Sequence, residues 1–170
     1  MTENQAAAGS STAHRGGAAA VSTAAVHDNT DEKNGGGSLR RGASAGYRWL
    51  LLVFVVAGAV QIFLAGLGVF HHHSVGLGPH ETLGFAMGGL ALLILVLALV
   101  ARPGGRTIAW VVVLVVQANL LQSLLAGLGN DDSPVWGGLH ALDGLLAIAV
   151  ACYLYGIALA RKRGDSARAE

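Results

Sequence analysis

Two glutamines and two histidines recur at matching places in the sequence and could together bind a metal or a cofactor. Gln61 opens the phrase Gln-Ile-Phe-Leu-Ala-Gly-Leu-Gly, and Gln122 opens a similar phrase 61 residues later. His80 and His140 follow these phrases, and each begins a further apolar segment. Neutral imidazole is a common transition-metal ligand and the axial ligand of haem iron. The spacing therefore predicts that two repeated units each contribute one histidine to a shared site.

One carboxylate lies well inside an apolar segment, three residues after His140. Asp143 is close enough on a helix surface to contact that histidine, and an ionisable residue in a membrane span is a functional-site hypothesis by default. Asp143 could orient a ligating His140 by accepting a hydrogen bond, or take part in proton movement. The matching residue after His80 is Leu83, so the acid is not repeated and a mechanism that requires symmetry is less favoured.

Glycines follow both histidines at intervals of four residues. Gly84 and Gly88 share a helix face with His80, and Gly144 shares one with His140. Such a row could leave room for the flat macrocycle of a haem. Closely packed membrane helices use the same rows without any cofactor. Helix packing is therefore the favoured explanation of these glycines.

The two glutamines are polar groups within apolar segments. Their amides need several hydrogen-bond partners, so Gln61 and Gln122 are expected to face the bundle interior rather than lipid. They could bond to each other or to a histidine one helix away. A role in fastening neighbouring helices is favoured over contact with a substrate.

The composition is that of a membrane protein. Hydrophobic residues make up 53% of the 170 residues and charged residues 12%, and the mean hydropathy is +0.54. These values lie outside those of typical soluble globular domains. Four apolar runs are long enough to cross a bilayer core of roughly 30 Å. The sequence predicts an all-α polytopic membrane protein, in which four transmembrane helices form a bundle of two repeated hairpins. The runs cover about residues 49–70, 80–101, 107–128 and 136–160.

The remaining segments set the domain boundaries and the orientation. Residues 1–45 lack apolar periodicity and are predicted to be a disordered cytoplasmic arm, followed by a transmembrane domain over 46–161 and a cytoplasmic tail over 162–170. All eleven Lys and Arg lie before the first run, between the second and third, or after the fourth. By the positive-inside rule, both termini are predicted to be cytoplasmic. Tyr47 is expected at the inner membrane interface.

Other chemistry-bearing residues give weaker signals. His71, His72 and His73 could bind Cu, Ni or Zn, but neighbouring loop side chains point in different directions, so an adventitious site is the default. Cys152 is expected to be a small buried hydrophobe. The sequence has no phosphate-binding loop, no nucleophile–base pair, no HExxH and no CxxC motif. The chain could therefore be an enzyme only through a cofactor, and nothing in it points to nucleic acid.

Four phrases in the sequence resemble those of one protein family in the same order. The family is domain of unknown function 6220, which comprises small four-span bacterial membrane proteins. The resemblance covers about residues 48–160 and implies an integral protein of the bacterial cell membrane, without an established activity. A looser similarity links His80 and His140 to haem-carrying bundles such as haem A synthase and certain b-type cytochromes, and it implies at most one haem. The four phrases are 61–68, 80–84, 121–127 and 139–146.

Three functions remain open at this point. In the first, a multi-pass membrane protein of unassigned activity holds one haem b for electron transfer, with His80 and His140 as iron ligands, Asp143 as the orienting carboxylate and Gln61 and Gln122 as pocket donors. In the second, the chain is a non-enzymatic structural or partner-binding membrane subunit. In the third, a small solute or protons pass the two glutamines and the aspartate. The expected partners are the lipid bilayer and a redox or membrane protein.

Overall fold

The computed structural model describes residues 16–70, 76–131, 133–168 and 170, and side chains over 36–70, 76–129, 133–168 and 170. All regular elements of this part are helices, so the predicted all-α fold is confirmed. A π-helical turn, Gln117–Leu121, joins the third helix to the fourth and makes one rod of them. The helices are α1 Gly16–Phe70, α2 Gly78–Ala101, α3 Gly105–Val116, α4 Gln122–Asp131 and α5 Pro134–Ala167. We call α1 and α2 the first hairpin, and α3 to α5 the second.

Four helical segments are long and apolar enough to cross a membrane, as predicted. They are Gly36–Phe70, Gly78–Ala101, Gly105–Gly129 and Pro134–Ala167. The protein is therefore a multi-pass membrane helix bundle. Large apolar side chains point away from the bundle, and Phe85 is 80% exposed, as expected where the surroundings are lipid. Cys152 is also exposed, so the prediction that it is buried was wrong.

The first helix begins well before the predicted transmembrane domain. The chain separates into two compact units, Met1–Ser38 and Leu39–Glu170, and α1 begins at Gly16. The predicted boundary at residue 45 falls inside this helix, because extending an existing helix costs far less than nucleating a new one. Ala43 is already buried. Residues 1–15 lie outside the described residues, and the disordered arm stays a prediction.

Alanines of α2 and α5 pack among larger side chains in the buried centre of the bundle. Ala91 and Ala98 on α2 and Ala147 and Ala151 on α5 are core residues, and such residues let membrane helices approach closely. Tyr47 lies in the same core and is only 3% exposed. Its expected place at the inner membrane interface stays a prediction, because burial among helices does not give the depth in the bilayer.

The loop between α2 and α3 is tied to the end of α5. Arg102 ends α2 in the left-handed conformation, with φ of 51°, and its backbone N–H donates to the Ala98 carbonyl at 2.8 Å. The guanidinium of Arg161 donates to the Pro103 carbonyl and, at 3.1 Å, to the hydroxyl of the buried Thr107. We call this end of the bundle the arginine end and the opposite end, where His80 and His140 lie, the histidine end.

The π-helical turn shifts the register between the two hairpins. In α1 and α3 the buried residues correspond at a separation of 60: Tyr47 with Thr107, Leu51 with Val111 and Phe54 with Leu114. Beyond the turn the separation is 61, as for Gln61 and Gln122. A π-helical turn accommodates one additional residue, because its hydrogen bonds span five residues instead of four. The second hairpin therefore carries a one-residue insertion immediately before its polar residues.

Gly58 on α1 lies against Ile148 on α5 and gives a first test of the packing. A Cβ on Gly58 would lie 2.6 Å from Cγ1 of Ile148. We expect Gly58→Ala to lower the unfolding free energy in detergent by about 1–3 kcal/mol through overpacking. Gly66→Ala is the matched control, since its Cβ would meet nothing within 4 Å; it should be neutral or stabilising by up to about 1 kcal/mol. Equal stability of the two variants would contradict the packing.

Candidate functional site

The structure brings the two predicted histidines together. His80 lies in the first turn of α2 and His140 in the second turn of α5. Their ring centroids are 6.0 Å apart and the ring planes meet at 69°. Both side chains are half-buried. The histidine end of the bundle therefore carries two adjacent imidazoles, one from each hairpin.

A reciprocal pair of hydrogen bonds clamps His80 to Gln61. The Gln61 amide Nε2 donates to the His80 carbonyl at 2.8 Å, and the His80 ring Nδ1 donates to the Gln61 carbonyl at 3.1 Å. A carbonyl oxygen can only accept, so Nδ1 must carry the proton. In the neutral ring the lone pair is then on Nε2, which is free to bind a metal or accept a bond.

The second hairpin repeats this clamp. The Gln122 Nε2 donates to the His140 carbonyl at 3.0 Å, and the His140 Nδ1 donates to the Gln122 carbonyl at 3.1 Å. Both predicted glutamines thus contact a histidine one helix away. The anchoring acceptor for each ring is a backbone carbonyl, which fixes the same tautomer in both hairpins.

Asp143 belongs to the amide network and does not bond to the ring of His140. It is only 5% exposed. Its Oδ1 accepts from Gln117 Nε2 at 3.2 Å and its Oδ2 from Gln122 Nε2 at 2.8 Å. The carbonyl of Gln122, rather than the predicted carboxylate, accepts the His140 Nδ1–H bond. Asp143 can therefore influence His140 only through Gln122.

The π-helical turn supplies two polar residues that the sequence analysis left out of the site, Gln117 and Asn119. Asn119 Nδ2 donates to the Val115 carbonyl at 3.1 Å and to the Gly88 carbonyl at 3.3 Å. It thereby satisfies a carbonyl within the widened turn and ties the turn to α2. The signal in the sequence was the change of repeat separation from 60 to 61, which places an insertion next to these residues.

Amide side chains fill the glycine rows beside the histidines. A Cβ on Gly84 would lie 3.2 Å from Gln61 Nε2, and one on Gly144 would lie 3.6 Å from Gln122 Nε2. A Cβ on Gly88 would lie 2.8 Å from the Asn119 side-chain oxygen, Oδ1. The favoured explanation of these glycines, helix packing, is confirmed at these positions. They do not supply an open slot for a macrocycle.

Two amide oxygens of the network are buried without a partner among the described residues. They are Oε1 of Gln61 and Oε1 of Gln117. In each case the Nε2 of the same amide is bonded. Buried acceptors in this state are usually satisfied by water or a bound ligand.

The described residues contain no group of three or more His, Cys, Asp or Glu side chains that could hold a metal ion. His71, His72 and His73 lie outside the described residues. The available donors are thus the two Nε2 atoms of His80 and His140. Two imidazoles suit a metal whose other ligands come from elsewhere, as in a haem, rather than a metal enclosed entirely by protein.

Comparison with known proteins adds a family similarity and no function. Residues 61–121 match the model of a family of unknown function (DUF6220), in agreement with the resemblance read from the sequence. The match spans Gln61, His80, the loop between α2 and α3 and the π-helical turn. No curated protein and no solved structure matches the chain.

Proposed function

We propose that this membrane bundle holds one transition-metal centre between His80 and His140, with a single haem b for electron transfer as its leading form. The observation that supports the proposal is the pair of anchored imidazoles. Each Nδ1–H bonds to a backbone carbonyl, which leaves each Nε2 as the ligand atom. Histidines that ligate metals are commonly held by such a bond from the other ring nitrogen.

The separation of the rings suits two ligands of one metal. With metal–nitrogen bonds of about 2 Å and about 1 Å from ligand atom to ring centre, two opposed imidazoles have centroids about 6 Å apart. The observed value is 6.0 Å. His80 and His140 would therefore be close enough to hold the same metal ion.

The two histidine nitrogens suit a haem iron, whereas the glycine rows beside them do not suit the macrocycle. His80 and His140 would hold the iron, and a bound haem would supply single-electron exchange. The rows at Gly84, Gly88 and Gly144 are filled by amides and offer no room for the macrocycle. Gln61 and Gln122 position the histidines and are not pocket donors in this proposal.

A non-enzymatic structural or partner-binding subunit is the second candidate. The specific observation in its favour is that three side-chain amides link helices: Gln61, Gln122 and Asn119 each donate a hydrogen bond to a neighbouring helix. Polar groups of this kind fasten membrane helices without any ligand. In that case the histidines would act only as part of the clamps.

The absorption spectrum of the purified protein separates the two candidates. The haem proposal predicts a Soret band, with sharp α and β bands after reduction by dithionite, either as purified or after addition of haemin. Titration of the colourless protein with Cu²⁺ and Zn²⁺ tests the wider metal proposal. A protein that binds neither haemin nor these ions would end both and leave the structural subunit.

We also propose that the arginine end faces the cytoplasm of a bacterial cell and that both termini lie on that side. The eleven Lys and Arg support this, since all lie before the first span, between the second and third, or after the fourth. Green fluorescent protein fused after Glu170 should fluoresce, and alkaline phosphatase at the same place should be inactive. Phosphatase inserted after Ser133 should be active. The reverse pattern would overturn the orientation.

A further inference from the structure

We propose that Asp143 and Gln117 form a binding site for one small monovalent cation, either a proton or an alkali-metal ion. The site lies in the second hairpin and does not depend on a metal between the histidines. Asp143 is nearly fully buried, within a bundle whose outer surface meets lipid. A cation bound there would neutralise a carboxylate to which no Lys or Arg side chain bonds in the described part of the chain.

The neighbours of Asp143 are neutral amides. Its two oxygens accept from Gln117 and Gln122, and none of the described Lys or Arg side chains bonds to it. Among the described residues, the titratable groups nearest to it are His140, one turn away on α5 and directed at the Gln122 carbonyl, and His80, which faces His140 from α2. Glu81, beside His80 on α2, is exposed. An ionised carboxylate without a countercharge is costly in a low-dielectric interior.

The carboxyl group has room for a further partner. An ionised carboxylate offers about four lone-pair sites, and two are used by the amides. The Gln117 amide supplies an oxygen in addition to those of the carboxylate, because its Oε1 is buried without a partner among the described residues. Small hard cations prefer oxygen ligands. Carboxylate and amide oxygens are therefore available within one small cluster.

Gln117 is the group that can respond to the cation. A half-turn of its amide exchanges Nε2 and Oε1 and breaks only the 3.2 Å bond to Asp143, since Oε1 has no bond to lose. Oε1 would then face Oδ1, and the two oxygens could share a proton as an O–H···O bond or coordinate an alkali-metal ion together. Gln122 cannot turn in this way without losing its bond to the His140 carbonyl.

The asymmetry of the two hairpins points to a special use of this cluster. The residue that corresponds to Asp143 in the first hairpin is Leu83, and Gln117 lies in the π-helical turn made by the one-residue insertion. π-helical turns are rare and occur frequently at functional sites. The insertion and the acid thus occur together in one half of the bundle, and the first hairpin has neither.

The test uses the full chain in lipid nanodiscs at neutral pH, in choline chloride and then in sodium chloride. If a proton is bound, we expect an infrared C=O band of a protonated carboxyl that Asp143→Asn removes, because exposed carboxyls are ionised at this pH. If an alkali ion is bound, sodium should raise the unfolding temperature above that in choline, and Asp143→Asn should remove the rise. Finding neither signal would overturn the proposal.

Two further variants keep the test decisive if Asp143→Asn does not fold. Gln117→Leu keeps the carboxyl and removes the second oxygen. If sodium is bound, its affinity should fall about five- to tenfold, the effect of one lost interaction. If a proton is bound, the infrared band of the protonated Asp143 carboxyl should shift to that of a carboxyl without a hydrogen bond to Gln117. Ser123→Ala changes an exposed polar residue of α4 and should leave every readout as in the original protein. Unchanged signals in Gln117→Leu would overturn the assigned role of Gln117.

Discussion

His80→Ala and His140→Ala are each expected to abolish the low-spin haem spectrum and to weaken haemin binding by more than about 100-fold. Loss of a residue that merely supports a metal ligand costs about 10- to 100-fold in affinity, and here the ligand itself is lost. The two variants should behave alike, because the same clamp holds both rings. The measurement is a haemin titration of the colourless protein, followed by absorbance before and after dithionite.

The chain provides two matched controls for this prediction. His72→Ala removes a histidine that follows α1 in the sequence, outside the described residues, and should leave the haem spectrum intact. Gln61→Leu should also leave it, since the acceptor for His80 Nδ1 is the backbone carbonyl of residue 61, which every side chain retains. Pigment that survives both His80→Ala and His140→Ala, or that disappears in His72→Ala, would contradict the proposed ligands.

Stability separates the metal site from a purely structural role. Without a metal, either alanine variant loses one Nδ1–H bond, and the expected cost is about 1 kcal/mol in unfolding free energy. A structural subunit predicts this graded loss and nothing more. A metal site predicts, in addition, that the metal stabilises the original protein and fails to stabilise the two variants.

The apolar pattern alone was enough to predict the helices. Runs of about twenty apolar residues bounded by Gly, Pro and Arg leave few alternatives, because backbone groups in lipid must be satisfied within the helix. The start of α1 at Gly16 was missed, since a helix extended from a membrane span needs no apolar periodicity of its own.

The sequence was enough to predict which residues form the site, but not the hydrogen bonds between them. The repeat identified His80, His140, Gln61 and Gln122, because equivalent positions in two hairpins meet about a common centre. Composition could not show that Nδ1 bonds to a backbone carbonyl, since that contact depends on helix rotation and not on residue type. Gln117 reaches Asp143 from the π-helical turn, where the repeat separation changes from 60 to 61 residues. This change is not visible when the two repeats are compared only over the phrases that begin at Gln61 and Gln122.

The two glutamines should differ in their contribution to stability even though the repeat makes them equivalent. We expect Gln61→Leu to lower the unfolding free energy by about 1 kcal/mol and Gln122→Leu to lower it by about 2–3 kcal/mol. Gln61 Nε2 has one acceptor, the His80 carbonyl. Gln122 Nε2 has two, the His140 carbonyl and Asp143 Oδ2. Equilibrium unfolding in mixed detergent micelles would measure the difference.

A double variant tests the cause of this difference. Asp143→Leu gives the second hairpin the residue that the first has at Leu83, so Gln122 would retain only the bond that Gln61 makes. In that background Gln122→Leu should cost about 1 kcal/mol, as Gln61→Leu does in the original protein, because the interaction energy of neighbours appears as non-additivity. An unchanged cost of about 2–3 kcal/mol would mean that the Asp143–Gln122 bond contributes nothing to the asymmetry. The carboxyl group would then have no structural role through Gln122, and its position in the membrane would have to be explained by what it binds.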